Sequence, residues 1–389
     1  MTLRTCPICR ASDFDVFLRR EGVPVDQNKV YRTREEARAC QRGDITMALC
    51  KRCAFVWNQT FEDSPVVYDQ NYENDQTHSP AFRAHVEDMA ARVLAAMPAD
   101  APLDVVEVGS GQGTFLKCLK DMAGPRLRSA TGFDPAFRGA EGGSDALQFY
   151  RRYFGNETRN LLPHEPNVIV TRHTIEHVTH PLAFLSDIRS AIPANGTRIF
   201  IETPCIAWTI DNVAFQDFGY EHCSVFTTSS LTSAMQLTGF SVDKAEHAFG
   251  GQYLWASGAT AGSPGGLVTP DKLPDSRRYA TIEAEMRTNW RKRIADAPAG
   301  KVAIWGAGGK GATFAMIIDP AGELLNCAID INPKKAGTFL PAVGLPVVTP
   351  STAAERGITT AIVMNPNYLE EIARDNAAKG FTPKLIPLE

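Results

Sequence analysis

The sequence predicts an α/β protein: a large helix-flanked parallel sheet and then a smaller one, behind a cysteine-bearing N-terminal module. Three observations carry this. After residue 100, short β-rich runs alternate with helical stretches, the pattern of a parallel sheet covered by helices. A second alternation of the same kind begins at Lys301. Ahead of both, residues 1–75 hold five of the nine cysteines and little periodic apolar structure.

At 389 residues the chain is long enough for two or three domains. Its 44% hydrophobic and 22% charged residues are ordinary globular usage, which excludes a disordered or fibrous chain. Forty Lys and Arg against 44 Asp and Glu give a net charge of −4, so no broad basic face for nucleic acid is expected. No apolar run approaches the ~18–20 residues that span a bilayer. The start, MTLRTCPICR, lacks the apolar core of a secretory signal. The expectation is a cytoplasmic, monomeric protein that acts on a small molecule, with no nucleic-acid or membrane partner.

Three units follow from the pattern: 1–75, 76–260 and 277–389. Phe82, Val86, Met89, Val93 and Met97 recur at helical spacing in 81–97. LDVVEV, SATGF, NVIVT and TRIFIE read as strands of the large sheet. The Gly/Pro/Ser-rich stretch 258–276 reads as a linker. Tyr279, Ile282, Met286, Trp290 and Ile294 form the stripe of a helix, and KVAIW, NCAID, LPVV and TAIVM read as the smaller sheet.

Cys6 and Cys9 form one C-x2-C pair, and Cys50 and Cys53 a second. Two such knuckles complete a closed tetrahedral site, so structural zinc is expected and metal catalysis is not. The long intervening loop costs little, because closure entropy grows slowly with length. The other cysteines are unpaired in sequence and read as small apolar residues.

Strand Leu103–Val108 runs into Glu107-x-Gly109-x-Gly111-x-Gly113 and then a helix. Glycines permit a tight strand-to-helix turn and close approach of a ligand to bare backbone. The new helix offers unpaired N–H groups. Asp134 closes the next strand, where an acid can accept both ribose hydroxyls. The spacing differs from the dinucleotide G-x-G-x-x-G and resembles motif I of class I S-adenosylmethionine methyltransferases. In that superfamily Arg172 and His173 fall at the ligand-facing tip of the fourth strand. Glu107, Gly109, Gly111, Gly113, Asp134, Arg172 and His173 are therefore the cofactor-binding candidates.

Two later segments concentrate polar chemistry: Arg172–His177, and Gly219-Tyr220-Glu221-His222-Cys223-Ser224-Val225-Phe226. Tyr, Glu and His in succession supply a hydroxyl, a tuning charge and a proton acceptor. His177 equally suits a helix packed under the sheet edge.

With these motifs in this order the chain resembles the sugar C-methyltransferases of antibiotic biosynthesis. Those proteins join an N-terminal zinc domain with two C-x2-C pairs, a class I methyltransferase domain and a smaller C-terminal Rossmann-like domain. Their Y-E-H-x-S-Y-F-type segment is matched by Tyr220, Glu221, His222, Ser224 and Phe226, with Val225 in place of the second tyrosine. Their histidine after the fourth strand is matched by His177, and their aromatic stretch by Tyr68 and Tyr72. Their C-terminal glycine turn is matched by Gly306–Thr313, where Gly308 and Gly309 replace Pro and Ala. The resemblance implies S-adenosylmethionine as methyl donor and a nucleotide-linked keto-sugar as small-molecule substrate, with Tyr72 and Lys310 as substrate-binding candidates. The departures bear on the substrate rather than on the architecture.

A carbon nucleophile beside a ketone needs a base near neutral pKa and a partner for the enolate oxygen. His222 is the expected base. Tyr220 is expected to orient substrate or share the proton, Glu221 to hold one tautomer of His222, and His177 to stabilise the enolate oxygen. If the acceptor is a hydroxyl, the same His222 deprotonates it. Gly306-x-Gly308-x-x-Gly311, with Asp330 19 residues beyond Gly311, also meets the dinucleotide fingerprint. A NAD-binding oxidoreductase and a non-catalytic binding protein therefore stand as alternatives of another class.

Overall fold

The computed structural model describes residues 4–63, 72–143, 146–194, 196–261 and 263–388; Tyr68 lies outside them. The N-terminal segment, which carries little sequence periodicity, forms an antiparallel sheet. Its strands are β1 (Phe14–Pro24), β2 (Arg42–Cys50) and β3 (Val56–Asn58), with the short helix α1 (Arg34–Arg38) between the first two. Helix α2 (Pro80–Ala95) starts on an Ser79 cap with Pro80 in its first turn, and buries Phe82, Val86, Met89 and Val93 as its spacing requires.

The central unit runs β4 (Leu103–Val108), α3 (Thr114–Ala123), β5 (Leu127–Phe133), β6 (Leu147–Tyr150), β7 (Val168–Arg172), α4 (Pro181–Ser190), β8 (Arg198–Pro204) and α5 (Ile206–Asp211). Then come β9 (Ser224–Val225), α6 (Thr228–Leu237), β10 (Phe240–Ala248) and β11 (Tyr253–Thr260). Its seven-stranded sheet has the order β10-β11-β8-β7-β4-β5-β6, with β10–β11 and β11–β8 antiparallel and the other pairs parallel. This is the class I methyltransferase fold. Chain order reverses between β4 and β7, and such a switch point opens a crevice at the carboxyl ends of the strands.

Helix α7 (Ser276–Ala295) leads into β12 (Val302–Trp305), α8 (Gly309–Ile318), β13 (Cys327–Ile329), β14 (Val347–Val348), α9 (Pro350–Glu355), β15 (Thr360–Val363), α10 (Leu369–Ala378) and β16 (Lys384–Pro387). These strands form a parallel sheet, β14-β13-β12-β15-β16, with a second switch point between β12 and β15. The three sheets are not three separate cores. Phe17, Leu18 and Ile45 of the first sheet share one apolar cluster with Tyr279 and Trp290 of α7 and with Ile304 and Phe314 beyond it. Strand β9 leaves the central unit and pairs with β3 of the N-terminal sheet.

Candidate functional site

Strand β4 is buried along its whole length and delivers the glycine turn at the first switch point. Gly109, Gly111 and Gly113 all have φ between +53° and +78°, a region that costs an L-residue energy. A Cβ at Gly109 would lie 2.7 Å from Thr174 Cγ2, whereas at Gly111 it would meet nothing within 4 Å. Gly113 caps α3 without a side-chain bond, so the helix presents free N–H groups.

Glu107 sits behind the turn. Burial pushes its carboxyl up to about 8, against the pull of the Arg172 guanidinium. Arg172 Nε donates to Glu202 Oε2 at 2.6 Å, and His85 Nε2 lies 2.5 Å from Glu202 Oε1. Burial works against the Glu202 charge, but Arg172, His173 and His85 hold it well below the usual carboxylate range. Around the turn, Glu107 Oε2, Ser110 Oγ, Arg172 Nη2 and His173 Nε2 are buried without a hydrogen-bond partner. Bare backbone at Gly111 beside unsatisfied donors and acceptors fits a ligand that carries a carboxylate, an ammonium and hydroxyls. Asp134 stands at the tip of β5 as expected, but it also builds the turn: Oδ2 accepts from Gly111 N at 2.7 Å, and Oδ1 from Ala136 N at 2.7 Å.

The two switch points face one another across a cavity of about 310 Å³. His173, Glu176 and His177 line it from the β7 tip, Glu221 and His222 from the loop before β9, and Lys310 from α8. Tyr72 lies on the same wall, and of the cofactor candidates only His173 does so. The rings of His177 and His222 meet edge to face with centroids 5.0 Å apart. Ligand atoms of Glu176, His177 and His222 all fall within 4.8 Å of one another. Burial, and then the neighbouring His222, push His177 down to about 4. His222 is also lowered by burial, with Glu176 and then Asp217 opposing. Lys310 Nζ is 2.9 Å from Asp217 Oδ1 and 3.3 Å from Gln252 Oε1.

The loop that carries His222 is pinned from the N-terminal sheet. Buried Arg20 donates to Phe218 O at 3.0 Å and Phe215 O at 2.8 Å, and is paired with Glu283 at 3.0 Å. Asn58 N donates to Cys223 O at 2.9 Å, while Val56 and Trp57 pair with Val225 and Ser224.

Two expectations for this loop are corrected. Tyr220 does not line the cavity. Its ring is buried over Gly43, and its hydroxyl accepts from Glu62 N at 3.0 Å. Glu221 does not hold His222. Its carboxylate accepts from Gln27 N at 2.7 Å and from the Tyr72 hydroxyl at 2.5 Å, and burial pushes it up to about 7. A turn at Tyr220 and Glu221 sends consecutive side chains in different directions. Sequence adjacency therefore did not become adjacency in space. Sequence reasoning also missed His85 and Glu202, which look like core positions of a helix and a strand, and Thr203 beside Glu176.

The second glycine turn is partly occupied by the chain itself. Asn28 Oδ1 accepts from Gly309 N at 3.1 Å, and Asp330 Oδ2 accepts from Ala307 N at 2.8 Å. Gly311 is required because a Cβ there would strike the Gly306 carbonyl. A dinucleotide pyrophosphate would take the Gly309 N–H, so the capping by Asn28 argues against the NAD reading.

Cys6, Cys9, Cys50 and Cys53 converge, buried, with all sulfurs within 4.8 Å. Cys6 and Cys53 Sγ are 3.6 Å apart, and Cys9 and Cys50 Sγ 3.4 Å. The two knuckles repeat one geometry: Arg10 N donates to Cys6 O and Ala54 N to Cys50 O, both with positive φ. Four thiolates on a zinc ion stand about 3.8 Å apart for bonds of about 2.3 Å, so the donor set fits zinc.

Residues 82–245 match a family model described as a methyltransferase domain, and residues 275–382 one described as a C-methyltransferase C-terminal domain. No curated protein matches the chain. Among solved structures, it is similar to an S-adenosylmethionine-dependent methyltransferase from Aquifex aeolicus, at 14% identity and TM-score 0.35 over 49% of this chain and 100% of that one. It is similar also to the 1,6-didemethyltoxoflavin N1-methyltransferase of Burkholderia thailandensis, at 13% identity and TM-score 0.34 over 47% and 81%. A plantazolicin methyltransferase gives 14% identity and TM-score 0.36 over 48% and 86%. Among the described residues, no helix is long and apolar enough to cross a membrane.

Proposed function

We propose that this chain, an S-adenosylmethionine-dependent methyltransferase, methylates a carbon beside a carbonyl group of a small keto compound, a nucleotide-linked keto-sugar being the class that its motifs favour. The observation that carries the reading is the His177–His222 pair with Glu176 on the cavity wall, next to His173 at the cofactor end. A neutral imidazole there is a competent base, since burial holds both rings below the usual histidine value. His222 takes the proton from the carbon, the electron pair moves onto the carbonyl oxygen, and His177 faces that oxygen. The matched model for residues 275–382 supports carbon as the acceptor.

When bound, S-adenosylmethionine supplies an electrophilic methyl on sulfur. Glu107, the Gly109–Gly113 turn, Asp134, Arg172 and His173 would hold it. Tyr72 and Lys310, both lining the cavity, would touch the substrate, and the four cysteines would hold one structural zinc.

The test uses a panel of nucleoside-diphosphate 4-keto-6-deoxyhexoses with methyl-labelled cofactor, read by mass spectrometry. A C-methylated product is expected. In deuterated water with S-adenosylhomocysteine in place of the donor, the enzyme should wash deuterium into the substrate carbon. His222→Ala should keep cofactor affinity and lower both rates about 10²–10⁴-fold, the usual contribution of a general base. Methylated hydroxyl without exchange would replace this reading with O-methylation.

A further inference from the structure

Glu176 sits in the single turn Ile175–His177 at the tip of β7 and is 1% exposed. A charge buried that deeply needs a reason. Thr203 Oγ1 donates to its Oε2 at 3.0 Å from β8, and His173 Nδ1 faces its Oε1 at 3.4 Å. The carboxylate is thus fixed from two sides while lying within 4.8 Å of both His177 and His222.

We propose that Glu176 is the positioning residue of this site: its fixed carboxylate is the counter-charge that stabilises the imidazolium formed when His222 takes a proton. The proposal rests on His222 being the base, and it gives Glu176 the part that sequence adjacency suggested for Glu221.

Among the described residues, the neighbours leave no better partner. The charged and titratable groups among the described residues that face His222 are Glu176 and His173 from the β7 tip, Asp217 from the loop before β9, and Lys310 from α8, with His177 in ring contact. Asp217 is already paired with Lys310 at 2.9 Å. Glu221 has both oxygens engaged by Gln27 and Tyr72, away from His222. Burial works against the Glu176 charge, yet His173, then His177 and His222, hold its carboxyl below the usual range. It is therefore ionised through the neutral range, which Glu221, pushed up to about 7, is not.

The balance of the step shows why this matters. The substrate C–H bond breaks, the proton moves to a ring nitrogen of His222, and the electron pair becomes the enolate. Two neutral groups turn into a cation and an anion inside the cavity. An anion already in place beside the cation lowers the barrier without reorganising at the moment of reaction.

The test is a histidine-ring NMR titration of the full-length protein without substrate, with the His222 resonance assigned by His222→Ala. In Glu176→Gln the His222 midpoint should fall by roughly two to three pH units, as expected for a charge lost within 4.8 Å under an effective dielectric of about 20. In Glu221→Gln it should stay in place. The acid limb of the deuterium-exchange profile should move down with it, a shift that loss of packing alone would not give. If Glu176→Gln fails to fold, Glu176→Asp draws the charge back by one methylene and should lower the midpoint by a smaller amount. An unmoved midpoint in these variants, or a shift in Glu221→Gln instead, would overturn the proposal. Because the titration needs no substrate, it stands or falls separately from the C-methylation assay.

Discussion

Replacing Gly109 by Ala should cost more than replacing Gly111 by Ala, although the two lie two residues apart in one motif. Both have positive φ, +77° and +53°, and placing alanine there costs about 1–2 kcal/mol. At Gly111 that is the whole cost to the fold, since the new methyl meets nothing within 4 Å. At Gly109 the Cβ would fall 2.7 Å from Thr174 Cγ2 and 2.9 Å from its Cβ. Thr174 must then move and give up the one Oγ1 proton that it shares between Arg172 O at 3.0 Å and Val108 O at 3.4 Å, about 1 kcal/mol. The expected totals are about 2–3 kcal/mol for Gly109→Ala and about 1–2 kcal/mol for Gly111→Ala. Urea unfolding without cofactor measures both. A double-mutant cycle of Gly109→Ala with Thr174→Gly should recover about 1 kcal/mol as coupling energy. The methyl at Gly111 enters the open side of the turn, so its larger effect should fall on S-adenosylmethionine affinity, read by calorimetry. Equal destabilisation by the two alanines, or no coupling to Thr174, would refute the reasoning.

Glu107 should make stability fall with rising pH. Its native carboxyl is raised from 4.5 to about 8. Between those values the folded state keeps a proton that the unfolded chain has lost, and stability drains across that window. The loss should be a few kcal/mol, and Glu107→Gln should flatten the urea-unfolding profile from pH 5 to 8. Tyr220→Phe should cost about 1 kcal/mol, the bonds to the Glu62 backbone, and leave turnover nearly unchanged; a hundredfold loss of turnover in a folded protein would return the hydroxyl to the chemistry. Elemental analysis should find about one zinc per chain, absent in Cys50→Ser. Because β3 pins the Cys223 carbonyl beside His222, that variant should lose turnover before it loses cofactor affinity, and unchanged melting with no metal in the parent would exclude the zinc site.

Local features were legible in the order of residues alone. Buried β-rich runs set the parallel strands of the central and C-terminal sheets, the glycine spacing set the turn after β4, and two C-x2-C pairs announced the cysteine cluster. Each of these is a few residues long and carries its cause within it: period, φ, or the reach of a thiolate. The tertiary structure decided what depends on distant segments meeting. Strands β1 and β2 form a sheet although their own periodicity is weak, because their apolar residues find partners on α7 and α8. Tyr220, Glu221 and His222, a triplet in the sequence, are dispersed by one turn to the core, to Tyr72 and to the cavity. His222 instead meets Glu176 and His177, some 45 residues earlier in the chain, because β9 is drawn onto the N-terminal sheet while the β7 tip stays on the central one. Asn28 reaches Gly309 across 281 residues and fills part of a motif that looks like a dinucleotide site on paper. Side-chain company of this kind is fixed by packing between sheets, and no local pattern of residue types encodes it.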